Sequence, residues 1–247
     1  MPALLGRVAA SLDQARRANV GLVLLVLLPV PPLLIGHQLH FWDLAGFDSS
    51  RWNVDLDRSY IEILGYAYVA AAVALLVLAW RRERERVYAG WALVLTVIVI
   101  DDSFRLHETG GTWLAGRTAV PTVLGLREKD IGQLVTWALI GAVVLLALWL
   151  THRPRSLAAR DDSFCLLAML GLLVVVAVGV DMLSVAVAAV TDSTEVKLLL
   201  LWIESGGEIG VMAGLVVYAW HVVRRPGRDQ RLWPYAADAA RRAPAAS

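Results

Sequence analysis

Charge is scarce in this sequence and nearly cancels. Only 18% of the 247 residues are charged, and 23 Lys plus Arg against 22 Asp plus Glu leave a formal charge of +1. Such a chain carries no global field to gather nucleic acid, so none is expected as a partner. Cys165 is the only cysteine, so an internal disulfide is excluded, and its apolar neighbours make it read as a small hydrophobe. A cleavable signal peptide is not expected either. Arg7, Arg16 and Arg17 precede an apolar run from Val20 to Ile35, but Pro29, Pro31 and Pro32 interrupt it and no Ala-x-Ala site follows. No nucleotide-binding, haem-attachment or nucleic-acid motif stands out, and no internal repeat supports an inverted-repeat transporter.

Apolar residues are what the chain has in abundance. They make up 58% of it, with a mean hydropathy of +0.60, too apolar for an ordinary soluble domain. They fall into six runs near the length a helix needs to cross a bilayer. The fold class expected is therefore all-α: a polytopic integral membrane helical bundle of six transmembrane helices. Residues 1–17 form an amphipathic or flexible leader, 18–222 the membrane domain, and 223–247 a flexible tail rich in Arg, Ala and Pro. The spans are placed at about 18–36, 60–80, 88–102, 131–150, 163–190 and 196–220, the first kinked by its prolines. A loop is expected from Thr109 to Asp130, with helix-start clusters at Glu128, Lys129 and Asp130 and at Asp192 and Glu195.

Basic residues orient the bundle. The amino terminus, Arg81 to Arg86, Arg153 to Arg160 and the tail alternate onto one side and hold 16 of the 23 Lys plus Arg. The positive-inside rule makes that side cytoplasmic, with both termini inside and the protein in the cell inner or cytoplasmic membrane. Trp80, Tyr88, Trp149 and Trp220 then line the inner interface, and Trp42, Trp52 and Trp113 the outer. Richness in Ala, Val and Arg suggests a bacterial coding bias.

Against this background the acidic residues inside the apolar runs stand out, because ionisable groups there are costly unless paired, hydrated or used. The stretch Ile100 to Glu108, I-D-D-S-F-R-L-H-E, places Asp101, Asp102, Arg105, His107 and Glu108 at one span end. Asp101, Arg105 and Glu108 follow an i, i+4, i+7 pattern and share a face if the helix continues. Glu204 and Glu208 lie one turn apart, with Gly206 and Gly207 between them permitting close helix approach. At a rise of about 1.5 Å per residue, Asp101 and Glu208 stand roughly 20 Å above the inner interface, and Glu204, Asp181 and Glu62 roughly 26–28 Å above it. Groups from four spans thus converge in the outer half of the bundle.

Two like charges one turn apart call for a cation, an arginine or a held proton. The metal ligands expected are Asp101, His107, Glu108, Asp181, Glu204 and Glu208, binding a divalent zinc, manganese or iron ion. The catalytic set expected is Glu204, Glu208, Arg105 and Asp181, with acid–base groups and an arginine clamp for phosphate or carboxylate. The corresponding function is a metal-dependent membrane enzyme acting on a lipid-like substrate from the outer-leaflet side, with membrane lipids as partners. Two alternatives accompany it: a proton- or cation-coupled transporter, and a non-catalytic assembly or sensory component. The sequence lacks the histidine set of membrane ceramidase-like hydrolases, the histidine boxes of membrane desaturases and a mid-span retinal lysine.

Overall fold

A computed structural model describes residues 2–44, 46–54, 56, 58–117, 126–191 and 193–225, with side chains from residue 4 onward. The expectations placed on Pro121, Asp192 and the tail beyond Arg225 fall outside these residues. The chain is all-α, and six helical stretches among the described residues are long and apolar enough to span a membrane. Eight of the ten α-helices among the described residues build them, with α1 and α6 lying outside the spans.

Helix α1 (Pro2–Ala18) packs against α8 and α10, burying Ala15 and laying Val8 and Leu12 on the core. The leader is therefore a docked helix. The first span is α2 (Val20–Leu27) followed by α3 (Val30–Phe41), broken at Leu28 and Pro29. Prolines remove the backbone donors that would continue the ladder. Beside the break, the Tyr68 hydroxyl donates to the Val26 carbonyl and ties this span to the next.

Helix α4 (Tyr60–Glu83) starts at Ser59, whose hydroxyl accepts from the Glu62 amide. It ends at Arg84 in the left-handed conformation, and α5 (Arg86–Phe104) returns antiparallel to it. Arg105 is again left-handed, with φ 53°, and turns the chain into α6 (Leu106–Ala115). Part of the loop expected after Thr109 is thus helix. Helix α7 (Glu128–Thr151) packs on α6 and α5. The approach of α6 to α7 needs glycine: a Cβ on Gly132 would strike the Gly111 backbone, and one on Gly111 would lie 2.6 Å from the Gln133 nitrogen.

The fifth span joins α8 (Leu157–Val174) to α9 (Asp181–Ala188) through a π-helical segment, Val175–Val180. Helix α10 (Thr194–Arg224) runs through the middle of the bundle and packs against α4, α8, α9 and the first span. Leu76, Trp91, Leu95, Leu166, Leu215 and Tyr218 form the fully buried centre. Faces turned away from it, such as Leu139, Val143, Leu146 and Leu150 of α7, are exposed and apolar, as lipid contact requires.

The two ends of the bundle differ. At the end where α4 finishes and α5 begins, Asp162 is 1% exposed and fully engaged. Tyr88 donates to its Oδ2 at 2.7 Å, Tyr218 to its Oδ1 at 2.8 Å, and the Arg225 guanidinium pairs with Oδ2. Beside it Trp91 donates to Ser163 at 2.8 Å, and Ser163 meets His152 Nδ1 at 3.1 Å. This end is closed. The other end holds a cavity.

Candidate functional site: an acidic cavity

The cavity, about 360 Å³, lies at the end where α4, α7 and α10 begin and α5 finishes. It is of a size that takes a small ligand or a lipid headgroup. Glu62 and Gly65 of α4, Asp102 of α5, His107 and Glu108 of α6, and Lys129, Asp130, Gln133 and Trp137 of α7 line it. Asp181 follows the π segment, whose Ala177 and Val178 also reach the cavity; π insertions recur at functional sites. Helix α10 contributes Glu204, Ser205 and Glu208, both glutamates half-buried on one face. Gly207 lets α10 approach the π segment, since a Cβ there would lie 2.7 Å from Val176 Cγ1. At Gly206 the nearest atom to such a Cβ is 3.9 Å away, so close approach belongs to Gly207.

Carboxylates outnumber cations here, and the cations sit beside carboxylates. Arg127, the N-cap of α7, donates through Nε and Nη2 to Asp130 at 3.0 and 2.9 Å, and through its backbone amide at 2.8 Å. Asp130 is 2% exposed. Lys129 Nζ stands 3.9 Å from Glu108. Glu62 accepts from the Tyr66 hydroxyl and the Arg58 amide, fixing it at the start of α4.

Most of the residues singled out from the sequence come together: His107, Glu108, Asp181, Glu204 and Glu208 all line this space, with Glu62 and Asp102. Arg105 and Asp101 do not. The left-handed Arg105 ends α5, so the run from 101 to 108 is not one helix face. Arg105 is exposed and pairs with Glu108, which leaves Arg127 and Lys129 as the Arg and Lys side chains lining the cavity. Asp101 is 1% exposed and lies behind His107, accepting from its backbone amide and meeting its Nδ1, both at 2.9 Å. The His107 ring also lies against Trp137, 4.9 Å between centroids. Burial opposes the charged imidazole. The Asp101 hydrogen bond and charge, with Glu108 and Asp102 nearby, outweigh it and hold the His107 pKa above its ordinary value.

No three His, Cys, Asp or Glu among the described residues are grouped as metal ligands. All of the expected ligand residues but Asp101 share one cavity, without forming a ready coordination shell. Lys129 and Asp130, expected with Glu128 only as a helix start, belong to the lining, and Arg127 beside them carried no expectation. The helix does start there, with Arg127 as its N-cap, and nothing in the local pattern distinguishes a helix start from a cavity wall. Below the cavity, α10 from Ile209 to Ala219 buries Ile209, Val211, Met212, Ala213, Leu215, Val216, Val217, Tyr218 and Ala219. No ionisable side chain but Tyr218 interrupts that stretch.

The matched part of the chain holds this whole set of titratable groups. A family model described as a domain of unknown function, DUF8692, matches residues 58–223. The chain belongs to the DUF8692 family. The DUF8692 match runs from just before α4 to the end of α10, and takes in Glu62, Glu208 and every ionisable cavity residue between them. No curated protein and no solved structure matches the chain.

Proposed function

We propose that this DUF8692 protein is a membrane enzyme that performs acid–base chemistry on a lipid-like substrate entering the cavity from one membrane face. The observation that carries the reading is the one-sided cavity. Half-buried Glu204 and Glu208 face the same space as an Asp101-backed His107, and apolar packing closes the bundle beneath them. Paired groups in unlike surroundings are how one site supplies both an acid and a base. Glu204, Glu208 and Asp181 are the acid–base carboxylates, and Arg127 and Lys129 at the start of α7 take over the anion-holding part expected of Arg105. The lipid-like substrate class is supported by a second, apolar recess of about 420 Å³ on the other face of α4. Pro29, Leu33, Trp52, Ile63 and Leu64 line it, at a place suited to an acyl chain. By the distribution of basic residues the cavity faces outward from the cytoplasmic membrane.

A zinc, manganese or iron ion remains the alternative source of an activated water, favoured by the gathering of His107, Asp181, Glu204 and Glu208. Their side chains would have to draw together to hold it, whereas the acid–base reading uses them where they stand. Proton- or cation-coupled transport requires a polar route through the buried stretch of α10.

The test is reconstitution of the purified chain in vesicles of mixed lipid composition, with lipids followed by mass spectrometry. Consumption of a lipid class by the wild type, lost in E204Q/E208Q, supports the enzyme. Dissipation of a proton or cation gradient without lipid turnover establishes the transport reading instead. Stoichiometric metal that disappears in the double variant assigns the chemistry to the ion.

A further inference from the structure

We infer that Asp101 is a positioning residue that presents His107 Nε2 to the cavity as a proton acceptor. What that acceptor acts on rests on the enzyme reading above; the orientation itself does not. Asp101 sits in the last turn of α5, buried and outside the cavity lining, and each of its oxygens meets a different nitrogen of His107. Oδ1 accepts from the backbone N–H at the start of α6, and Oδ2 lies 2.9 Å from Nδ1. The left-handed Arg105 makes this six-residue return, its amide donating to the Asp102 carbonyl at 3.2 Å. Trp137 of α7 holds the ring from one side at an interplanar angle of 30°, and the Gly111–Gly132 approach fixes α6 on α7.

A carboxylate has only acceptor capacity, so its partner nitrogen must carry the hydrogen. Neutral His107 is therefore the Nδ1–H tautomer, and the lone pair lies on Nε2. His107 lines the cavity. The charged groups lining the same cavity are Asp102 of α5, Glu108 of α6, Arg127 at the N-cap of α7, Lys129 and Asp130 of α7, Asp181 of α9, Glu204 and Glu208 of α10, and Glu62 of α4. The step this arrangement supports is transfer of a proton from a hydroxyl group or a water molecule to Nε2. The O–H bond breaks, its electron pair stays on oxygen, an N–H bond forms, and the imidazolium charge faces Asp101. Hydrolysis of the lipid-like substrate, or transfer of its group to a hydroxyl, are the reaction classes that need such a step.

The experiment is nitrogen NMR of the full chain in lipid nanodiscs with 15N-labelled histidine. There are five histidines, and the resonances lost in H107Q belong to His107. Neutral His107 is expected with the hydrogen on Nδ1. D101N offers one acceptor oxygen to two N–H groups and turns an amide donor toward the ring, so the hydrogen moves to Nε2. Where lipid turnover is measured, D101N lowers it about 10²- to 10⁴-fold, because the histidine base is then held in the wrong tautomer. An Nε2–H tautomer in the wild type, or an unchanged tautomer in folded D101N, overturns the inference whatever the turnover assay gives. If D101N does not fold, the wild-type tautomer alone decides. Absent turnover with the tautomer switch intact overturns the enzyme reading and leaves the orienting role of Asp101 standing.

Discussion

Asp162 and Glu208 are both acidic residues inside membrane-spanning helices, at opposite ends of one bundle, and their surroundings divide their roles. Asp162 is enclosed: two tyrosine hydroxyls and a guanidinium satisfy its oxygens, and it lines neither the acidic cavity nor the apolar recess. Such a satisfied network holds α5, α8 and the end of α10 together and offers nothing to a ligand. Glu208, with Glu204 one turn away, looks into a space wide enough for another molecule. An intramembrane carboxylate is therefore a functional candidate by what it faces, not by its depth. His107 shows the intermediate case, one side tied to Asp101 and the other lining the cavity.

Equivalent substitutions at the two ends should have opposite consequences. The largest effect is expected at the cavity end: E204Q/E208Q lowers lipid turnover by about 10²–10⁴-fold, the range for loss of an acid–base group. Its thermal unfolding midpoint in detergent stays level or rises, because a like-charge pair is removed. Asp162→Ala should do the reverse. It strands the buried Tyr88 and Tyr218 hydroxyls and the half-buried Arg225 guanidinium, and costs about 3–5 kcal/mol of stability, read from denaturant unfolding. The fraction that remains folded keeps its turnover. A double glutamine variant that unfolds, or an Asp162 variant that stays stable but inactive, would reverse the assignment of the two ends.

The fold was legible because the apolar runs are long and the breaks between them are charged: Arg81 to Arg86 encloses the left-handed Arg84 that ends α4. The gathering of Glu62, Asp181, Glu204 and Glu208 was legible too, since counting helical rise places residues of antiparallel spans at a common height. What helical periodicity does not reveal is a change of direction. The left-handed conformation of Arg105 carries no glycine or asparagine signal, so the run through Glu108 reads as one face while the chain turns. That turn takes Arg105 away from the cavity, puts Asp101 behind His107 and makes α6 out of an expected loop. The π segment is equally silent, because Val175 to Val180 has the composition of any lipid-facing helix.

Two smaller effects sharpen the picture of how the cavity wall is held. Gly132→Ala drives a methyl group into the Gly111 backbone, which has no side chain to move aside. A loss of about 1–3 kcal/mol is expected, as for overpacking elsewhere, with a larger fall in turnover than in stability because α6 carries His107. Comparable unfolding and turnover losses in Gly141→Ala, whose Cβ meets nothing within 4 Å, would show that any alanine there perturbs α7. The smallest effect is the pH dependence of the Asp101–His107 contact. The folded-state pKa of His107 lies above its ordinary value of 6.5, so the protonated pair contributes fully below that value. Its contribution is lost as pH rises through the higher, folded-state value. The unfolding midpoint of the wild type should therefore fall relative to that of D101N as pH is raised from about 6 into the alkaline range. Parallel curves for the two proteins would mean that Asp101 orients the ring without favouring its charge, and the contact would then act on the tautomer alone.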